Sequence, residues 1–253
     1  MSNEDYLRQI LNDQDLNDNQ IENLRRHRDI IEDQLRNGIN GSPKAYYGGS
    51  YKKKTMIKAS YDLDLVLYWP SNSPYSLQRL YRAAESVLDK NWRKIIKKRV
   101  GLEIPFQGDF HIDVIPGKFS SKDEKYAYLY NKDTGGRFQT SIDIQVKYVL
   151  KHRRQDAIRL MKLWKKRKDV PIKTFILEIC VIEGCKGIDR SKLESQLLAA
   201  FRYIRDNIQT SRMVDPANSN NIVSDDLTIE QKNRIKKLAI QAIDTQYWNQ
   251  VFF

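Results

Sequence analysis

The spacing of hydrophobic positions changes period near residue 140. Ahead of that point, Ile21, Leu24, Ile31 and Leu35 fall on one face of a helix predicted over residues 3–38, with a break near Asp15. Asn37-Gly38 and Gly41-Ser42-Pro43 are the signals that end it. A short strand is expected at 44–47, then a turn at Gly48-Gly49-Ser50. Residues 61–69, YDLDLVLYW, alternate as a strand does, and 75–98 reads as helix with a possible break near Asp89. Further strands are expected near 99–105 and 109–115, with a weaker one near 125–130. After residue 140 the period is mostly helical, as in Ala157, Leu160, Met161 and Trp164, or Ile235, Leu238, Ala239 and Ala242. That predicts helices near 140–151, 154–167, 172–184, 190–209 and 228–247, with a long polar loop at 212–227. The expected architecture is α+β: a core with a small mixed sheet and an N-terminal helix over 1–139, and a helical domain over 140–253. A cleft between the two is the natural place for a ligand.

The period fixes where side chains point. Alternate residues of a strand share a face, so Asp62 and Asp64 lie together while Leu63, Leu65 and Leu67 point away. In FHIDVIP, Phe110, Ile112 and Val114 share one face and Asp113 takes the other. Pairing of these two strands would bring three carboxylates together, an arrangement that repels itself unless a cation is present. Three hard oxygen ligands suit Mg²⁺, and two such ions can activate an attacking hydroxyl and hold a triphosphate. The glycines of the preceding turn let backbone N–H groups approach a phosphate, Ser50 adds a hydroxyl, and Lys52, Lys53, Lys54 and Lys58 add positive charge.

Composition adds less. The chain has 253 residues and a net charge of +12, from 44 basic and 32 acidic side chains. Such a protein attracts polyanions, but basic residues also simply solvate helix faces. The stretches RKIIKKR (93–99) and KKRK (165–168) are open to either reading. No apolar run approaches the roughly 20 residues needed to span a bilayer, and the acidic, polar start is not that of a secretory signal. Cys180 and Cys185 are expected as reduced core thiols in a cytoplasmic protein, and no zinc-ligand cluster is visible.

The segment GGSYKKKTMIKASYDLDLVLYW resembles the signature of nucleotidyltransferases that make 2′-5′ oligoadenylate or cyclic dinucleotides. FHIDVIPG resembles their third-carboxylate strand, while AIRLMKLWKK, IKTFILEIC and VDPANSNNIV resemble parts of their helical half. The resemblance covers about residues 40–245 and implies the DNA polymerase β-type nucleotidyltransferase fold. It implies that Asp62, Asp64 and Asp113 are catalytic and hold two Mg²⁺ ions, for which Mn²⁺ can substitute. Gly48, Gly49 and Ser50 would bind phosphate, Lys162 would reach the triphosphate, and Thr174 would contact phosphate too. Asp215, Pro216 and Asn221 would shape the nucleotide-binding loop of the helical half. The zinc insertion of animal cyclic GMP-AMP synthase is missing and the chain is short, which is similar to the bacterial CD-NTases. The expected activity is synthesis of a cyclic di- or trinucleotide, or a short oligonucleotide, from NTPs with release of pyrophosphate, in antiphage signalling. A template-independent RNA (tRNA) nucleotidyltransferase, such as a CCA-adding or toxin-type enzyme, is the alternative. Partners are then NTPs and, through the basic surface, nucleic acid; a monomer with no membrane attachment is expected.

Overall fold

A computed structural model describes residues 2–108 and 110–253. These divide into two compact units. One, the sheet unit, comprises Leu16–Lys53 and Tyr61–Val146. The other, the helical unit, comprises the described residues up to Asp15, the segment Lys54–Ser60 and Lys147–Phe253.

The sheet unit opens with α2 (Asp18–Gly38), following α1 (Asn3–Asp13) of the helical unit after the break expected near Asp15. Each helix starts with a capping box: Ser2 with Asp5, and Asn17 with Gln20. Next come β1 (Lys44–Tyr47), the short helical turn α3 (Gly49–Lys53), β2 (Asp62–Trp69) and α4 (Leu77–Asn91). The strands β3 (Ile96–Lys97), β4 (Leu102–Pro105), β5 (His111–Phe119), β6 (Ala127–Tyr130) and β7 (Arg137–Thr140) complete, among the described residues, a seven-stranded sheet. Its main path runs β1-β2-β5-β4-β3; β6 pairs with β5, and β7 extends from β6. Within it the β2–β5 pair is parallel, and the other described pairs are antiparallel.

β2 is flanked on both edges, and every residue from Leu65 to Trp69 is buried. On one side Val66 and Tyr68 pack with Phe119, Ala127 and Leu129. α2 and α4 pack together and onto the sheet, bringing the buried Leu24, Ile31, Leu35, Leu80 and Leu88. The strand period thus sets which side chains face each layer, while burial on both faces hides the polar-out signal.

Several expectations shift. The Gly48-Gly49-Ser50 turn is the entry to a helical turn, and the helix expected over 75–98 stops at Asn91, with Ile96 and Lys97 in a strand. The strand expected from 109 starts at His111; its first position, Asp109, lies outside the described residues. β7, with the sequence RFQT, has too little apolar pattern to be read in advance.

In the helical unit, α5 (Ile142–His152) carries the chain over from the sheet unit into α6 (Gln155–Arg167), α7 (Thr174–Gly184), α8 (Leu193–Asn207), α9 (Ile229–Asp244) and α10 (Asn249–Phe252). α7 is buried at every position from Ile176 to Ile182, so it has no polar face over that stretch and runs through the core of the unit. The expected loop 212–227 is a small hairpin, β8 (Val214–Asp215) with β9 (Asn218–Ile222), followed by a 3₁₀ turn at Val223–Asp226. Leu7, Ile10 and Leu11 of α1 join the core of this unit, as does Ile57. Segment 54–60 is bound to its surroundings through backbone groups. Arg159 donates to Met56 O at 3.2 Å, and Lys58 N and Ala59 N donate to Gln14 O at 2.9 Å and Gln14 Oε1 at 3.0 Å. Cys180 and Cys185 are buried, unbridged thiols, and burial pushes Cys180 up to about 12 and Cys185 up to about 11. No helix among the described residues is long and apolar enough to cross a membrane.

Candidate functional site

The register of β2 on β5 places Asp64 directly beside Asp113 and Asp62 beside His111. β4 on the other edge of β5 adds Glu103, paired with the same Asp113. Asp62, Asp64, Asp113 and Glu103 therefore lie on three neighbouring strands. Ser50 Oγ donates to Asp62 Oδ1 at 3.1 Å, and Gly48 N donates to Asp64 O at 2.8 Å, so the helical turn is bonded directly to the strand that bears the acids. Gly49 has φ +56°, and a Cβ there would stand 1.6 Å from Asp64 Oδ2. Glycine is required at this position both by the left-handed backbone and by the carboxylate pressed against it.

The electrostatics are strained. Burial pushes Asp64 up to about 7, the Asp62 and Asp113 charges add to the rise, and Lys53 and Lys98 offset part of it. Asp113 is also raised, chiefly by burial, against the pull of Lys98. Lys98 Nζ donates to Asp113 Oδ1 at 2.7 Å and Oδ2 at 2.8 Å, and contacts Glu103 Oε2 at 2.7 Å. Its own value is raised: burial pulls it down, but the bonds to Asp113 and Glu103 outweigh that. His111 Nε2 lies 3.9 Å from Asp62 Oδ2. Ligand atoms of Glu103, His111 and Asp113 lie within 4.8 Å of one another, so the donor set here is oxygen-rich with one imidazole. A divalent cation fits these residues. A buried carboxylate cluster in which a proton is held this readily is short of positive charge, and hard oxygens are the natural ligands of such a cation.

Lys162, Thr174, Asp215 and Asn221, also singled out by sequence, belong to the helical unit. Lys162 is buried and donates to Thr55 O at 3.0 Å, and Lys165 donates to Thr174 Oγ1 at 3.0 Å. Both lysines and Thr174, together with Ser60 and Asp169, line a cavity of about 150 Å³. Asp215 is 2% exposed; its oxygens accept from Ala217 N at 2.8 Å and Asn221 Nδ2 at 3.2 Å. Asp215 and Asn221 thus hold the hairpin's own shape. In the sheet unit, Tyr46 packs on Tyr68 and Phe119, and Tyr47 donates to Glu32 beneath Arg28.

Sequence reasoning missed Lys98, Glu103 and His111 as members of the carboxylate cluster. The signal was there: pairing LEIP with HIDV as antiparallel neighbours puts Glu103 opposite Asp113. The basic run 93–99 is also partly neutralised within the sheet unit, by Lys98 as above and by Lys97 on Glu85 at 3.0 Å.

No protein-family model matches the chain. It is 23% identical over 190 residues to the CBASS oligonucleotide cyclase CdnC of Escherichia coli (strain KTE188), a match covering 68% of this chain. The matched region spans 60% of that relative's length. Among solved structures, E. coli MS115-1 CdnC with ATP superposes with a TM-score of 0.77 at 20% identity, covering 96% of this chain and 91% of that one. Bradyrhizobium diazoefficiens CdnG with GTP gives 0.77 at 12% identity, over 99% and 95% of the two chains. Vibrio cholerae DncV in its apo form gives 0.75 at 13%, over 96% and 90%. The chain is therefore similar in sequence to a CD-NTase and has the fold of the CD-NTases, the cyclic GMP-AMP synthase-like proteins of the polymerase β-type nucleotidyltransferase fold.

Proposed function

We propose that the chain is a metal-dependent nucleotidyltransferase that joins NTPs into a cyclic di- or trinucleotide, or a short oligonucleotide, with release of pyrophosphate, as a signal in bacterial antiphage defence. The observation that carries this reading is the convergence of Asp62, Asp64 and Asp113 on the parallel pair β2–β5, with Ser50 bonded to Asp62 and Gly49 pressed against Asp64. The curated relative, an oligonucleotide cyclase, and the CdnC and CdnG structures with ATP and GTP support the choice of chemistry and substrate.

In this reading Asp62, Asp64 and Asp113 hold Mg²⁺, in a two-ion arrangement for which Mn²⁺ can substitute. The bound ions would supply charge neutralisation at the triphosphate and a more acidic attacking hydroxyl. The work of the chain itself is positioning: glycine at 49 lets the backbone pass against the Asp64 carboxylate, and the single hydroxyl proton of Ser50, which here fixes Asp62, would be free to turn to a phosphate oxygen once a cation takes Asp62. The family resemblance gives Asp113 the further task of aiding deprotonation of the attacking hydroxyl. Lys162, Lys165 and Thr174 give the helical unit a basic, hydroxyl-bearing pocket suited to phosphate, while Asp215 and Asn221 hold the hairpin in shape.

The test is an incubation of purified protein with labelled NTPs and Mg²⁺ or Mn²⁺, with and without tRNA, followed by phosphatase and chromatography. A phosphatase-resistant product, absent from the Asp62→Ala/Asp64→Ala variant, is the expected result. Label found only on added tRNA would replace this reading with an RNA nucleotidyltransferase. The absence of any product across NTP mixtures and metals would point to a missing activator or to a binding role.

A further inference from the structure

The Lys98 ammonium lies between two carboxylates. Its Nζ is 2.7 and 2.8 Å from the two oxygens of Asp113 and 2.7 Å from Glu103 Oε2. The arrangement is built by the sheet: β4 sets Glu103 opposite Asp113 across an antiparallel pair, and Lys98 enters on the segment joining β3 to β4, with its backbone N–H bonded to Gly101 O at 2.8 Å. Both carboxylates are mostly covered, with side-chain exposures of 16% for Asp113 and 19% for Glu103, whereas Lys98 keeps 38%. The lysine therefore has room to move, and the acids have less.

Resting on the metal-dependent reading above, we infer that Lys98 is a tethered counter-cation for Asp113, and that Glu103 is the place where it is held when the carboxylates take up a divalent cation. Lys98 spans Asp113 and Glu103 and keeps this part of the sheet from accumulating uncompensated negative charge. When Asp113 turns to a cation, Lys98 gives up its two bonds there and keeps the one to Glu103. Glu103 is a positioning residue in this scheme: although its carboxylate lies within 4.8 Å of His111 and Asp113, it holds Lys98 and not the cation, so a Mn²⁺-bound structure with Glu103 ligating the ion overturns this assignment. The arrangement gives two opposite consequences. Without Lys98, both oxygens of Asp113 are released from its bonds and its positive charge no longer opposes a cation. Without the Glu103 charge, Lys98 loses its second acid partner in this cluster and competes harder for Asp113.

Mn²⁺ binding, followed by titration calorimetry and electron paramagnetic resonance on the full chain without nucleotide, tests this. Lys98→Met is expected to tighten Mn²⁺ binding by about tenfold, and Glu103→Gln to weaken it by about tenfold, through the loss of one nearby charge of either sign. Thermal melts of both variants report folding. A crystal structure of the unaltered chain with Mn²⁺ should show Lys98 Nζ on Glu103 alone. Affinity unchanged or weakened in a folded Lys98→Met, or Lys98 still bridging both Asp113 oxygens in the Mn²⁺-bound structure, overturns the inference and leaves the metal reading intact. If Lys98→Met does not fold, the Glu103→Gln affinity and the Mn²⁺-bound structure decide. A complete lack of Mn²⁺ binding in the unaltered chain overturns the metal reading, and this inference with it.

Discussion

Each unit holds a buried polar group of a contrasting kind. In the helical unit Arg154 and Asp215 are matched to partners. The guanidinium of Arg154, 8% exposed, reaches Gln196 Oε1 at 3.0 Å and the carbonyls of Cys185 and Ile188 at 2.7 Å each, and Asp215 is bonded within its hairpin. In the sheet unit, burial and two neighbouring acids push Asp64 up to about 7. A satisfied buried polar group contributes to one well-defined packing, whereas clustered acids cost stability until a cation joins them. The contrast separates groups that hold the fold from groups held in readiness for a ligand, and it can be tested from both sides.

Activity should respond most. Gly49→Ala places a methyl against Asp64 and forces a left-handed backbone on alanine; we expect product formation to fall by about a thousandfold, as when a transition-state contact is lost, measured as phosphatase-resistant product. Next is the helical unit: Arg154→Met leaves three acceptors, two of them carbonyls, without this donor, and is expected to cost about 3 kcal/mol in denaturant unfolding. A loss below about 1 kcal/mol would break the view that this unit depends on polar satisfaction. Third, Mn²⁺ at about a hundred times its dissociation constant should stabilise the protein by about 2.7 kcal/mol, read as a shift in melting temperature that Asp62→Ala/Asp64→Ala abolishes. Without metal, Asp64→Asn should raise the melting temperature, since it removes one of the mutually repelling charges from a buried position.

The mildest test concerns His27, stacked on Phe106 at 4.2 Å, with its Nδ1 buried and without a hydrogen-bond partner among the described residues. Burial lowers its pKa, and Arg26 lowers it further. A histidine with a depressed folded value binds its proton more readily unfolded, so its contribution to stability is complete above the ordinary histidine value of about 6.5 and is lost as pH falls below it. Melting temperature should therefore drop slightly between about pH 7 and pH 5, and His27→Phe should remove that part of the slope. An unchanged slope in the variant would show that the aromatic stack tolerates the charged ring.

Local pattern carries far in this chain. Period-two alternation in YDLDLVLYW separates Asp62 and Asp64 from Leu63, Leu65 and Leu67 before any partner strand is known. Helical spacing locates α6, α8 and α9, and the break between α1 and α2 falls near Asp15 as expected, with α2 started by a capping box of Asn17 and Gln20. Elements with weak patterns escape: two-residue β3 inside an expected helix, the polar β7, and the β8–β9 hairpin inside an expected loop. Their formation depends on pairing with a neighbour rather than on their own residues.

Residue types and faces are therefore legible from chain order: which acids share a side of a strand, where glycine must stand, and which helices are amphipathic. These follow from chain geometry within a few residues. Which strands lie side by side came from folding in three dimensions. Folding set Asp64 beside Asp113, brought Glu103 and Lys98 to the same carboxylate, and drew α1 and residues 54–60 into the helical unit. Such pairings join residues far apart in the chain, where the free energy comes from shared burial and from charges that meet only after folding.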